Sequence, residues 1–330
     1  MNLAYQIRLA SQSVQCRPCW YTQTYLQPAT RGVSKQQKRY MTKRSLPYLH
    51  LADLADLTLH AKAISAVQRG AEGLDVEQLI VGAFARDLHL RYGYDLAPLR
   101  QTEDIDIALA VPTWEAFSAL RERLVKDFGF AEVPGIHHQL RYRQQDFKLP
   151  IDIVPFGGLE RADRTIAWPP SGDEVMDVFG FREAQAAAIM MTLPGNVAIN
   201  VVSLAALVIL KLTAWQARHY EAPRKDAYDL RFIIKHYLDA GNHDRLGAEF
   251  SAWTEAENFD YEIAGARMLG NDAGALLEAA GRDRIAALLL SQTSEDTNGV
   301  LALEMNRNDP ERAMEILRAL RVGILESKTK

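Results

Sequence analysis

The sequence predicts an α/β protein, a mixed β-sheet with flanking helices followed by a helical C-terminal region. Three observations lead there. Short apolar runs, "EQLIV", "DIDIALAV" and "FKLPIDIVPFG", alternate with amphipathic stretches through the first half of the chain. From about residue 203 the apolar spacing is helical and stays so to the C-terminus. Hydrophobic residues make up 48% and charged residues 24% of the 330 residues, a composition that can bury a real core.

Taken in order, "ADLADLTLHAKAISAVQR" has helical apolar spacing, and Gly70 and Gly73 are expected to stop it. "VEQLIVGAFARDLHLRYG" reads as a strand, a glycine turn at Gly82 and a helix to about Gly93. "DIDIALAV" is a strand, and "PTWEAFSALRERLVKDFGF" is a helix that Gly129 ends. "HHQLRYRQ" and "FKLPIDIVPFG" read as two adjacent strands. Residues 160–196 are less regular, with "WPPSG" as a turn. Ser203 then caps the helix "VSLAALVILKLTAWQARH", and Pro223 separates it from "KDAYDLRFIIKHYLDAG". The expected division is a leader at 1–50, a sheet domain at 51–200 and a helical domain at 201–330.

The leader stands apart in charge. Residues 1–52 contain eight Lys and Arg and no Asp or Glu, although the whole chain carries −4. Such composition suits a transit peptide, a nucleic-acid-binding arm or translation from an upstream start codon, with Met41 as the favoured alternative start. Cys16 and Cys19, the only cysteines, form half a zinc site at best and read as incidental thiols. Lacking a disulfide framework, the protein is expected in the cytoplasm. No apolar run approaches membrane-spanning length, so no membrane partner is expected.

Chemistry concentrates in the strands. Residues i and i+2 of a strand share a face about 7 Å apart, so Asp104 and Asp106 converge. Two carboxylates on one buried face repel each other and lose hydration. A divalent cation, most simply Mg²⁺, offsets both costs. Asp152 repeats the context on a nearby predicted strand, and three carboxylates suffice for two metals about 3.5–4 Å apart. The alternative is that these aspartates sit at strand ends and take turn or cap hydrogen bonds. Gly82 permits close backbone approach at a helix N-terminus suited to phosphate, with Arg86 one turn further on.

The helical half offers a second set. Lys211 interrupts the apolar run "ALVILKLTAW", where a lysine must snorkel or meet an anion, and a phosphate suits it. Asp226 and Asp229 are neighbours on one helical face; the alternative reading is acidic residues favouring a helix N-terminus. His137 and His138 read as structural or solvent-facing, and Trp168 and Trp215 as packing residues or the lining of a base pocket.

The order strand, "GAFARDL", "RQTEDIDIAL", "IDIVPFG" resembles the DNA-polymerase-β-like nucleotidyltransferase superfamily. "SLAALVILKLTAWQARHYEAPRKDAYDLRFII" narrows the likeness to the AbiEii-like nucleotidyltransferases, toxins of type IV toxin–antitoxin systems. The resemblance covers roughly residues 75–240 and implies a nucleotidyltransferase-type sheet. It implies that Asp104, Asp106 and Asp152 bind Mg²⁺ and that Gly82 and Ala83 cradle the triphosphate. It further implies that Lys211 and Lys225 contact phosphates, with Asp226 and Asp229 completing the active-site motif. Arg100 and Thr102 match the Arg-x-Thr-x-Asp-x-Asp form usual in the group. Ala83 departs from the usual Gly or Ser, so the backbone alone must hold phosphate there.

The implied reaction moves a nucleoside monophosphate from an NTP to an acceptor hydroxyl. The acceptor is a tRNA or other RNA, a protein or a small molecule, and a cognate antitoxin is an implied partner. A different class of reading, prompted by Ala83, is a catalytically weak nucleotide-binding or scaffold protein.

Overall fold

The computed structural model describes residues 51–98, 102–144, 147–221, 224–255, 258–297 and 299–328. Met41, Cys16, Cys19, Arg100 and Pro223 lie outside them, as does the leader at 1–50.

A seven-stranded mixed sheet forms the centre, in the order β3-β4-β5-β2-β1-β9-β8. Its middle strands are β1 (Glu77–Val81), β2 (Ile105–Val111) and β5 (Phe147–Gly157). β2 runs antiparallel to β1 and parallel to β5. Ile105, Ile107, Leu109, Ile151 and Ile153 are fully buried, which is why these strands read as apolar runs. β3 (Phe130–Val133) and β4 (Ile136–Gln144) extend one edge, antiparallel to their neighbours.

Two strands at the other edge were not expected from the sequence. β8 (Ile189–Leu193) and β9 (Val197–Val201) pair antiparallel, and β9 lies beside β1. Before them β6 (Thr165–Ala167) and β7 (Val175–Asp177) form a separate hairpin around the "WPPSG" turn. The stretch read as irregular, 160–196, thus holds β6, β7 and β8, and β9 follows it directly.

The helices follow local signals. α1 (Thr58–Ala71) packs on α3 (Trp114–Asp127), whose N-cap Thr113 accepts from the Ala116 amide at 3.3 Å. Gly70 does not end α1. It lies within the last turn, where a Cβ would come within 2.7 Å of Leu124 Cδ2, so its role is close helix packing. The chain leaves the helix after Ala71 and turns through Gly73 at φ 77°. α2 (Gly82–Asp87) continues as a π-type turn over Leu88–Tyr92. It is packed between β1 and β2 on one side and two later helices, α5 and α6, on the other.

α4 is Phe181–Ala186, α5 is Leu204–Arg218 and α6 is Lys225–His236. Ser203 caps α5 as expected, its hydroxyl accepting from the Ala206 amide at 3.3 Å. α7 (His243–Glu249), α8 (Ser251–Thr254), α9 (Tyr261–Gly274), α10 (Ala279–Thr293), α11 (Val300–Met305) and α12 (Pro310–Glu326) complete the helical region. Asp260 and Asp309 cap α9 and α12, the latter with Pro310 in the first turn. A single hydrophobic core runs from Leu57 through the sheet to Ile324.

Candidate active site

The sheet brings the three aspartates together. Asp106 and Asp152 are register partners across the parallel β2–β5 pair, so they share a face. Val81, the last residue of β1, is the partner of Asp106 on its other side. Gly82 follows at φ 67°, and a Cβ built there would overlap the Asp106 carboxylate. Glycine is required twice at this point, by the left-handed turn and by the contact. Asp104 precedes β2 and accepts from Thr102 Oγ1 at 2.5 Å. Asp152 Oδ1 accepts from Gln139 Nε2 at 2.7 Å, a contact with no signal in the sequence.

The electrostatics reflect this crowding. Burial pushes the Asp106 carboxyl up to about 6, and the charges of Asp104 and Asp152 add to the shift. Lys211 and Lys225 oppose it without reversing it. The Lys225 ammonium, 29% exposed, lies 3.8 Å from Asp104 Oδ2. Among the described residues no group of three or more His, Cys, Asp or Glu is drawn into a metal-holding cluster. The donors are nevertheless of the right kind: carboxylate oxygens only, adjacent in register, one of them costly to ionise without a compensating cation.

The helical residues are placed differently from expectation. Lys211, 4% exposed, is held by Asp226 at 3.0 Å and Asp229 at 2.5 Å. Arg218, two turns further along α5, donates from Nε and Nη2 to Asp226 at 3.0 and 3.1 Å. Arg86, 2% exposed, binds Asp87 at 2.6 Å and also contacts Asp229. Three cations and three carboxylates are thereby paired beneath the sheet aspartates. Lys211 and Arg86, from which phosphate contacts were expected, are both buried and paired with carboxylates of the fold. Asp226 and Asp229 orient Lys211, whose charge in turn acts on Asp106.

Burial by itself would lower the Lys211 ammonium, but Asp229 and Asp226 outweigh it and hold the pKa above its ordinary value. Burial would likewise raise Asp226, and Lys211 and Arg218 outweigh that in the other direction. Ala83 is 3% exposed, so its backbone is what it can offer a ligand. Arg218 was missed by sequence reasoning, although its i+7 spacing from Lys211 puts the two along one helix face. His138 and Trp168 stand 6.4 Å apart in a packed aromatic group with Trp114 and Phe117, which fits their structural reading.

Comparison with known proteins adds the family. The model of the nucleotidyl transferase AbiEii toxin family, type IV toxin–antitoxin system, matches residues 74–310. No curated protein matches the chain. Among solved structures, the solution structure of the antibiotic-resistance factor ANT(2″)-Ia is 15% identical, with TM-score 0.33. The match covers 60% of this chain and 99% of that one. A crystal structure of ANT(2″)-Ia with adenylyl-2″-tobramycin is 16% identical, with TM-score 0.34, covering 59% and 98%. A nucleotidyltransferase structure from H. pylori is 14% identical, with TM-score 0.31, covering 83% and 97%. Likenesses this distant carry no weight for substrate or mechanism. The family match spans well over half the chain, and with it the protein belongs to the AbiEii nucleotidyltransferase family and is a nucleotidyltransferase.

Proposed function

We propose that this protein transfers a nucleoside monophosphate from an NTP to an acceptor hydroxyl and releases pyrophosphate, with Mg²⁺ held by Asp104, Asp106 and Asp152. The observation that carries the reading is the register pairing of Asp106 with Asp152 beside the Gly82 turn. Bound Mg²⁺ would supply charge neutralisation and Lewis acidity at the triphosphate, in a two-metal arrangement. The chain's own residues do the rest. The Gly82–Ala83 backbone receives phosphate at the start of α2, and Lys225 stands at the rim as its cationic partner. Thr102 and Gln139 fix the orientations of Asp104 and Asp152. Asp152 takes the proton of the acceptor hydroxyl as that oxygen bonds to the α-phosphorus and the bond to pyrophosphate breaks. Lys211, held by Asp226 and Asp229, acts as a fixed positive charge below Asp106.

The acceptor classes open to this chemistry are RNA including tRNA, a protein side chain and a small molecule. Incubation with each α-labelled NTP, Mg²⁺, total RNA and lysate protein tests the reading. Label is expected in one polymer or a small product, and its absence under all four nucleotides with no pyrophosphate released would sink the transferase assignment. Pyrophosphate release unaffected by EDTA would remove the metal assignment alone.

The family description also favours a toxin role in the cytoplasm, neutralised by a cognate antitoxin. Induction of the protein is then expected to arrest growth, and co-expression of the neighbouring gene product to relieve the arrest. Among the described residues no helix is long and apolar enough to cross a membrane.

A further inference from the structure

The connection from α5 to α6 carries a row of stacked rings beside the site. Trp215 is 2% exposed, and its indole Nε1 donates to Glu304 Oε2 of α11 at 2.7 Å. His219 stacks on it with ring centroids 4.4 Å apart and an interplanar angle of 19°. The His219 Nδ1–H donates to the Trp215 carbonyl at 3.0 Å, which fixes the ring's orientation. Tyr220 packs next, tilted by 39° with its centroid 3.8 Å from that of His219, and it is 87% exposed. The ladder is therefore anchored in the core at one end and open to solvent at the other.

Its position gives it meaning. Arg218, immediately before His219, grips Asp226, and the field of Arg218 reaches Asp106 and Asp152. Lys225 follows the same connection and lies against Asp104. Both ends of the connection thus reach carboxylates of the site, and the exposed ring lies between them in the chain. An unsupported tyrosine on a surface loop samples many rotamers, whereas one packed against an anchored imidazole is restricted in the orientation of its exposed face.

We propose that the Trp215–His219–Tyr220 ladder is the platform on which the nucleobase of the incoming NTP stacks, with Tyr220 as the contacting ring. The proposal rests on the nucleotidyltransferase reading and adds to it the residue that holds the base. Stacking on an aromatic face needs no hydrogen-bond code, so it contributes affinity for any NTP while the phosphate contacts remain common to all.

The test uses the full chain and two probes, the Mg²⁺ complex of the NTP bound most tightly and that of inorganic tripolyphosphate. Tyr220→Ala is expected to weaken NTP binding about five- to tenfold, the low end of base–aromatic stacking for a solvent-facing ring. Tripolyphosphate affinity should be unchanged, and Tyr220→Phe should restore NTP binding to within twofold. NTP affinity unchanged in Tyr220→Ala would overturn the proposal, as would equal losses for NTP and tripolyphosphate. The first of these is also what an acceptor-base platform would give. Should the wild type bind neither probe, the nucleotidyltransferase reading fails and the platform with it. Tyr220 is exposed, so its loss leaves the core intact, and an unchanged unfolding midpoint checks that point.

Discussion

Two groups of charge lie close together in this molecule and are built on opposite plans. At the sheet, Asp106 and Asp152 share one face with the charge of Asp104 close by, and Asp106 is left with a carboxyl at about 6. Beneath it, Arg86, Lys211 and Arg218 are matched by Asp87, Asp226 and Asp229 within hydrogen-bonding range. One group is short of positive charge and the other is complete. The second group is balanced in charge from within, which suits a supporting role. A deficient one stores repulsion that a cation would relieve, so the comparison separates the residues proposed to meet Mg²⁺ from those proposed to support them.

The sharpest way to break this distinction is to remove charge from each group in turn. Asp106→Asn is expected to lower nucleotide transfer by at least about a thousandfold, since metal contributes several kcal/mol to the transition state. Its urea midpoint should be unchanged or higher. Transfer near the wild-type rate would show that Asp106 is not part of the deficient group. Lys211→Met should do the reverse in stability, costing about 3–5 kcal/mol because two buried carboxylates lose their partner. Denaturant unfolding reads this directly, and a loss under about 1 kcal/mol would contradict the pairing.

Acid should also act on the two groups with opposite sign. Asp106 has a folded pKa raised above the ordinary 3.8, so its ionisation opposes folding. Stability from this group rises as pH falls from above about 6 toward 3.8. Asp226 is held below 3.8, so its contribution is present above that value and lost as pH falls further. Thermal melts of metal-free wild type, Asp106→Asn and Asp226→Asn between pH 3 and 7 should therefore show differences in separate windows. Coincident windows would mean that the groups do not differ as described. Smallest in effect is Glu304→Gln, which replaces a charged acceptor for the Trp215 indole by a neutral one. It should cost about 1 kcal/mol or less in urea unfolding and leave tripolyphosphate binding unchanged. A larger loss would give the helical region a bigger part in supporting the site.

Part of the sheet group was legible in the sequence, because Asp106 and Asp152 each interrupt an apolar strand run; Asp104 was read into the strand but lies just before it. Gly82 was legible for the same local reason. The complete group was only half legible. Lys211 stood out as a charge in an apolar helix, but its partners Asp226 and Asp229 lie 15 and 18 residues away and Arg86 comes from the other half of the chain. Ion pairing between distant segments leaves no periodic trace, so a phosphate was expected where a carboxylate stands. β8 and β9 were missed because five-residue strands with Met190, Met191 and Thr192 carry weak alternation, and their place beside β1 is fixed by long-range pairing. Gly70 misled for a similar reason, since its small size serves α3 and not its own helix.

Asp229 reaches Arg86 on α2 and Lys211 on α5, so one carboxylate ties the sheet half to the helical half. The division expected near residue 200 is thus crossed by buried ion pairs. Neither half can be exchanged with that of a relative as a cassette unless Arg86, Lys211 and Asp229 travel as a set. A chimera joined at that junction without all three would bury a charge that has lost its counterpart.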